Sequence, residues 1–234
     1  MAVLDLIYKI KPDYIVNFIG LFGNRQYSEL MQSNVDISRN ILNAVVELLL
    51  VKTRLLFIGS AAEYGTAYEN PVSEDSPAMP INLYGLSKKI QTDLILFYHR
   101  VHQVQAVIAR TFNLTGDGIS AALSIGHFRK QIDAALDGDT IKVGNLNSER
   151  DFLEVTDAVA LYLDLLCYGK VGEVYNVCSG VPIRLADVLS EMIQSSGKSL
   201  IVEVSPQLLQ VNDISQIYGS RLKLDGLLMG ILRK

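Results

Sequence analysis

Tyr84 and Lys88, four apart in NLYGLSKK, and Ser60 in RLLFIGSAAEYG have the side chains to move a proton to or from a hydroxyl. A phenol with a pKa of about 10 is a weak acid and base at neutral pH, but an adjacent ammonium favours phenolate and draws that value toward the working range. A four-residue spacing sets both side chains on one face of a helix. Solubility alone also produces Tyr-x-x-x-Lys pairs on exposed helices, and a serine often satisfies backbone groups in a turn. What gives the three residues weight is their combination.

The elements that would position them alternate between two kinds. Short β-branched or aromatic runs, Tyr14 to Ile19, Arg54 to Ile58, Ala106 to Ala109 and Val174 to Val177, have strand length and the near-continuous apolar character of parallel strands covered on both faces. Between them, Glu29 to Val51 reads as one long helix, Leu83 to Val101 as a second and Val155 to Cys167 as a third. This alternation predicts an α/β fold with a doubly wound parallel sheet, whose ligands gather at the carboxyl ends of the strands. Ser60 would then leave the end of the strand beginning at Arg54, and Tyr84 would open the next helix. Ile119 to Val143 and Val181 to Pro206 alternate less regularly, with a helix at Leu185 to Ser195 and a strand at Leu200 to Val204, and predict a smaller lobe.

Composition narrows the function classes. The chain has 234 residues, 49% hydrophobic and 20% charged, enough for a substantial core. A net charge of -4 with scattered basic residues gives no footprint for nucleic acid or an anionic membrane, while leaving room for a small anionic ligand. Cys167 and Cys178 have neither disulfide-framework nor zinc spacing, and His99, His102 and His127 form no metal-ligand pattern, so no metal is expected. No apolar stretch reaches the roughly 18 residues of a membrane span, and the first residues lack signal-peptide order, which predicts a cytoplasmic protein.

Ordered blocks along nearly the whole chain resemble the extended short-chain dehydrogenase/reductase family of nucleotide-sugar epimerases, dehydratases and reductases. PDYIVNFIG resembles its fourth strand, QSNVDISRN carries an asparagine like its structural or active-site one at Asn34, and GSAAEYG and YGLSK resemble its serine and tyrosine-lysine motifs. ARTFNLTGDG, VGNLNSERDFLEVTDA and GEVYNVCSG are similar to its substrate-site blocks. The resemblance implies a Rossmann-like cofactor domain over residues 1–113 and 152–180 and a substrate-binding lobe over 114–151 and 181–234. It implies catalysis by Ser60, Tyr84 and Lys88, with Lys88 holding the nicotinamide ribose of NADP or NAD. Gly20, Asn34 and Arg110 would also border the cofactor. Asn113, Asn145 and Arg150 would meet a nucleotide-diphosphate sugar, a role suited to amide donors and a fork-shaped cation. For Arg150 an ion pair with Glu149, Asp151 or Glu154 is the equal alternative. Family members commonly form homodimers through a four-helix bundle, which here would use Glu29 to Val51 and Leu83 to Val101.

VGNLNSERDF and RTFNLTG point within that family toward GDP-4-keto-6-deoxy-mannose reductases and GDP-mannose dehydratases. Dehydration needs an extra acid or base, a glutamate at position 62 in dehydratases, and this chain has Ala62. Glu63, one residue on along an extended segment, would point to the opposite side. A reductase is therefore the first expectation and an epimerase the second. The family's opening Gly-x-x-Gly-x-x-Gly turn, which receives the cofactor pyrophosphate at a helix end, has no counterpart, since Gly20 to Gly23 is followed by Gln26. By comparison the chain would start some 60 residues inside the usual domain, two strand-helix units of roughly 30 residues each, and would end before its closing helix. A non-catalytic homologue is the alternative of another class.

Overall fold

The computed structural model describes residues 3–66, 69–209 and 213–232; the outermost residues of the expected domains, 1–2 and 233–234, lie outside these. The chain opens with α1 (Val3–Ile10), β1 (Tyr14–Asn17), α2 (Tyr27–Leu30), a π turn (Met31–Asp36), α3 (Ile37–Glu47), β2 (Arg54–Ser60), a 3-10 turn (Ala61–Glu63), α4 (Leu83–His102) and β3 (Gln105–Thr111). There follow β4 (Asn113–Thr115), α5 (Ser124–Ala134), β5 (Thr140–Val143), β6 (Glu149–Glu154), α6 (Val155–Tyr168) and β7 (Val174–Val177). The remainder is β8 (Pro182–Arg184), α7 (Leu185–Ser196), β9 (Ile201–Val204), β10 (Gln216–Ile217) and α8 (Leu222–Leu232).

Four parallel strands in the order β1-β2-β3-β7 make the main sheet. Alternation along the strands divides the core into two faces. Leu55, Phe57, Ala106 and Ile108 pack with Ile7, Ile41, Leu42, Val45 and Ile95 of α1, α3 and α4. Leu56, Val107 and Ala109 pack on the other face with Ala158, Tyr162 and Leu165 of α6 and Leu224 of α8. Helices on both faces make the sheet doubly wound, and they explain why its strands lack polar alternation.

The second body of structure holds a sheet ordered β10-β6-β4, with β8 antiparallel to β6, and a parallel pair β5-β9. Its apolar cluster joins Phe128 and Ile132 of α5 to Leu185 and Leu189 of α7 over Ile141 and Val143.

The structure corrects several boundaries. The first strand stops at Asn17, leaving Phe18 and Ile19 outside it. The long helix expected over Glu29 to Val51 is interrupted by the π turn and ends at Glu47. The segment after Ser60 is a 3-10 turn rather than extended, because Ser60 Oγ accepts the Ala62 N–H (3.2 Å) and the Glu63 carboxylate accepts the Ser60 N–H (2.9 Å).

Candidate active site

Helix α4 begins against the end of β2. Asn82 caps it, its side-chain oxygen accepting the Gly85 N–H at 2.8 Å. The approach is so close that a Cβ on Gly85 would lie 2.3 Å from the Ala62 carbonyl oxygen, so only glycine fits there. This contact brings Tyr84, one residue earlier, to Ser60 at the carboxyl end of β2.

The half-buried Tyr84 shares a hydrogen bond with the Ser60 hydroxyl. Burial raises its pKa above the ordinary 10.0; the Ser60 hydrogen bond opposes the rise and the Glu63 carboxylate adds to it. Lys88, a turn further along α4 and 5% exposed, donates from Nζ to the Ile58 carbonyl oxygen at 2.6 Å. Burial lowers its pKa to about 8, with Glu63 opposing. Desolvation is thus the largest influence on the Tyr84 phenol, which is expected to act from its protonated form.

A cleft of about 170 Å³ opens beside this pair. It is walled by Phe18, Gly20, Leu21 and Phe22 after β1, Ile58 and Gly59 of β2, and Tyr84 and Lys88 of α4. Whole-ligand pockets run to roughly 300–1,000 Å³, so this cleft suits one end of a larger molecule. An apolar wall, glycine at two lining positions and a lysine amine on the floor fit a nicotinamide ribose. A Cβ on Gly20 would stand 2.9 Å from Asn34 Oδ1 and 3.8 Å from Lys88 Nζ, filling that space.

Asn34 itself does not line the cleft. It is fully buried, its Oδ1 accepting the Leu21 N–H at 2.8 Å and its Nδ2 donating to the Leu21 carbonyl at 3.0 Å and to Ser87 Oγ at 2.8 Å. It braces the wall from behind through Leu21, the structural side of the expected role. Arg110 is held by a carboxylate. Its Nε and Nη2 donate to Glu63 Oε2 at 3.1 and 2.8 Å, and its guanidinium lies 4.5 Å from the Tyr64 ring centre. It is buried and does not line the cleft beside Tyr84.

On the substrate-lobe side, Asn145 Nδ2 and Arg150 Nη2 converge on Asp213, at 2.7 Å to Oδ2 and 2.8 Å to Oδ1. Arg150 also donates to the Glu149 carbonyl at 2.9 Å. Its ion-pair partner is thus Asp213 rather than any of the three acids near it in sequence. Burial lowers the Arg150 pKa, with Asp213 opposing. Asn113 stands apart, donating from Nδ2 to the Asp151 carbonyl at 3.0 Å. Sequence reasoning missed Asp213, which lies 63 residues from Arg150 without a local signal, and Tyr162. The Tyr162 hydroxyl bonds Thr111 Oγ1 at 2.8 Å, and its ring meets Phe18 edge-on at 5.7 Å between centroids, backing the cleft wall.

A doubly wound sheet with serine, tyrosine and lysine gathered at its carboxyl edge defines a nicotinamide-dependent oxidoreductase acting on alcohols or ketones. The family described as "NAD dependent epimerase/dehydratase family" matches residues 2–178, and the chain belongs to it. It is 28% identical over 222 residues to the GDP-6-deoxy-D-mannose reductase of Pseudomonas aeruginosa, covering 91% of this chain and 73% of the reductase. It is 26% identical over 226 residues to the GDP-6-deoxy-D-talose 4-dehydrogenase of Aggregatibacter actinomycetemcomitans, covering 95% and 75%. The structure of RMD from Pseudomonas aeruginosa complexed with NADPH matches at a TM-score of 0.83 and 26% identity, over 92% of this chain and 74% of that one.

Proposed function

We propose that this chain is a nucleotide-sugar reductase that delivers hydride to the C4 carbonyl of GDP-4-keto-6-deoxy-mannose, using NADPH or NADH. The observation that carries the reading is the gathering of Tyr84, Ser60 and Lys88 at the end of β2 beside the cleft, with Ala62 where elimination would need a carboxylate. Bound nicotinamide supplies the hydride. Tyr84 gives its proton to the carbonyl oxygen as that oxygen gains charge, and Ser60 shares the hydrogen bond and orients it. Lys88 and Gly20 hold the nicotinamide ribose, while Phe18, backed by Tyr162, excludes water. Asn145 and Arg150, with Asn113, receive the nucleotide diphosphate. In this reading residues 1–113 and 152–180 serve the cofactor and residues 114–151 and 181–234 the substrate.

The protein works in the cytoplasm as a homodimer, its subunits meeting through α3 and α4, where Phe97 and Val101 stand exposed. Among the described residues no helix is long and apolar enough to cross a membrane. The test is NADPH oxidation with GDP-4-keto-6-deoxy-mannose, product identification by NMR and sizing by light scattering. We expect a C4 alcohol from a dimer, and a loss of about 10²- to 10⁴-fold in kcat for Tyr84→Phe. No NADPH oxidation, or a C4 epimer formed from a parent sugar without net oxidation, would overturn the reading.

A further inference from the structure

Beneath Ser60 lies a buried ion pair outside the proposed reaction. Glu63 is completely buried, and its two carboxylate oxygens divide their work. Oε1 accepts the Ser60 N–H at 2.9 Å, while Oε2 takes the fork of Arg110 at 2.8 and 3.1 Å. Tyr64, against the guanidinium, donates its hydroxyl hydrogen to Asn176 Oδ1 at 2.7 Å, and Asn176 Nδ2 donates to the Val72 carbonyl at 2.9 Å. The chain of contacts therefore runs from the end of β2 across β3 to β7. A Cβ on Gly59 would stand 2.9 Å from Glu63 Oε1, so the backbone at the cleft floor also rests on this carboxylate.

We propose that Glu63, balanced by Arg110, is a positioning residue for the proton donor, fixing the Ser60 backbone and setting the charge balance under Tyr84. The inference rests on the reading of Tyr84 as that donor. Removing a buried pair as a unit is commonly tolerated, whereas removing one member leaves the other charge without a partner. The charged and titratable groups acting around Tyr84 are Lys88 on α4, Glu63 on the 3-10 turn with Arg110 behind it, and Tyr162 on α6. Glu63 raises the Tyr84 pKa, so its loss and the surplus of Arg110 act on Tyr84 in one direction.

The test follows Tyr84 ionisation by carbon NMR of ring-labelled tyrosine, with Tyr84→Phe assigning the resonance, alongside kcat against pH for NADPH and the keto sugar. Glu63→Gln should move the Tyr84 titration and the alkaline limb of kcat to lower pH. Arg110→Met should move both to higher pH. The double variant Glu63→Gln/Arg110→Met should restore the parent midpoint, since the pair carries no net charge. If Glu63→Gln fails to fold, Arg110→Met and the double variant still decide. An unmoved titration in the folded variants, or single variants shifting in the same direction, would overturn the proposal and leave the pair a purely structural one. The titration needs no substrate, so a parent protein inactive on the keto sugar defeats the proposed function without touching this result.

Discussion

Lys88 carries a charge at the bottom of a cleft that disfavours it, and that conflict is measurable without substrate. Its pKa falls to about 8 from 10.5 on burial, against the pull of Glu63. Below pH 8 the amine is charged in both the folded and unfolded states. Above pH 8 the folded chain has released the proton while the unfolded chain still binds it, so raising the pH favours folding. Cys178, raised to about 12 from 9.0 chiefly by burial, acts in the opposite sense as pH approaches and passes 9, which leaves pH 8 to 9 as the window in which Lys88 dominates. Urea unfolding should show stability rising by about 1 kcal/mol across it, and Lys88→Met should flatten the rise. An equal rise in Lys88→Met would assign it to another group. At this scale Ser60, Tyr84 and Lys88 were legible, because a helix-spaced pair and a strand-end hydroxyl are local patterns. The pairing of Arg110 was not legible, because a cation at a strand end looks the same whether it meets a ligand or a carboxylate 47 residues away.

At the scale of elements, the π turn decides how the cleft wall is held. π turns concentrate at functional sites, where the widened backbone re-aims a side chain. Here Asn34, within Met31–Asp36, reaches both the N–H and the carbonyl of Leu21 while holding Ser87 of α4. Asn34→Ala would strand those partly buried backbone groups and Ser87, at a cost of about 1–3 kcal/mol by urea unfolding. Because Leu21 walls the cleft, NADPH affinity measured by calorimetry should fall in the folded variant. Undiminished affinity would reduce Asn34 to a stability residue. The sequence pattern could not reveal this turn, since one added residue per turn barely disturbs apolar recurrence along a long segment. The main-sheet strands were visible as continuous apolar runs, but β8 and β10, of three and two residues, exist only through pairing with β6. β6 itself, ERDFLE, was read for its ligand-binding residues rather than as a strand.

The whole molecule turns on how the second body of structure is joined to the main sheet, and Asp151 of β6 is the joint. Fully buried, it accepts the Ser179 N–H and hydroxyl at 2.7 Å each on Oδ1, and the Gly180 and Gly219 N–H groups at 2.9 and 3.1 Å on Oδ2. These donors follow β7 and β10, so a single carboxylate ties the end of the main sheet to the strands that carry Arg150. Beneath it Cys178, Phe112 and Ile217 share one apolar cluster with Tyr64. Asp151→Ala removes the acceptor from three backbone N–H groups at once, for an expected loss of about 3–5 kcal/mol. That is a large share of the roughly 5–15 kcal/mol by which domains are stable. If Asp151 is the joint, hydrogen exchange in this variant should accelerate in β6, β8, β10 and residues 179–181 while β2 and β3 keep their protection. Uniform acceleration through β2 and β3 would mean that the sheet and the lobe unfold as one unit and that Asp151 stabilises both without linking them.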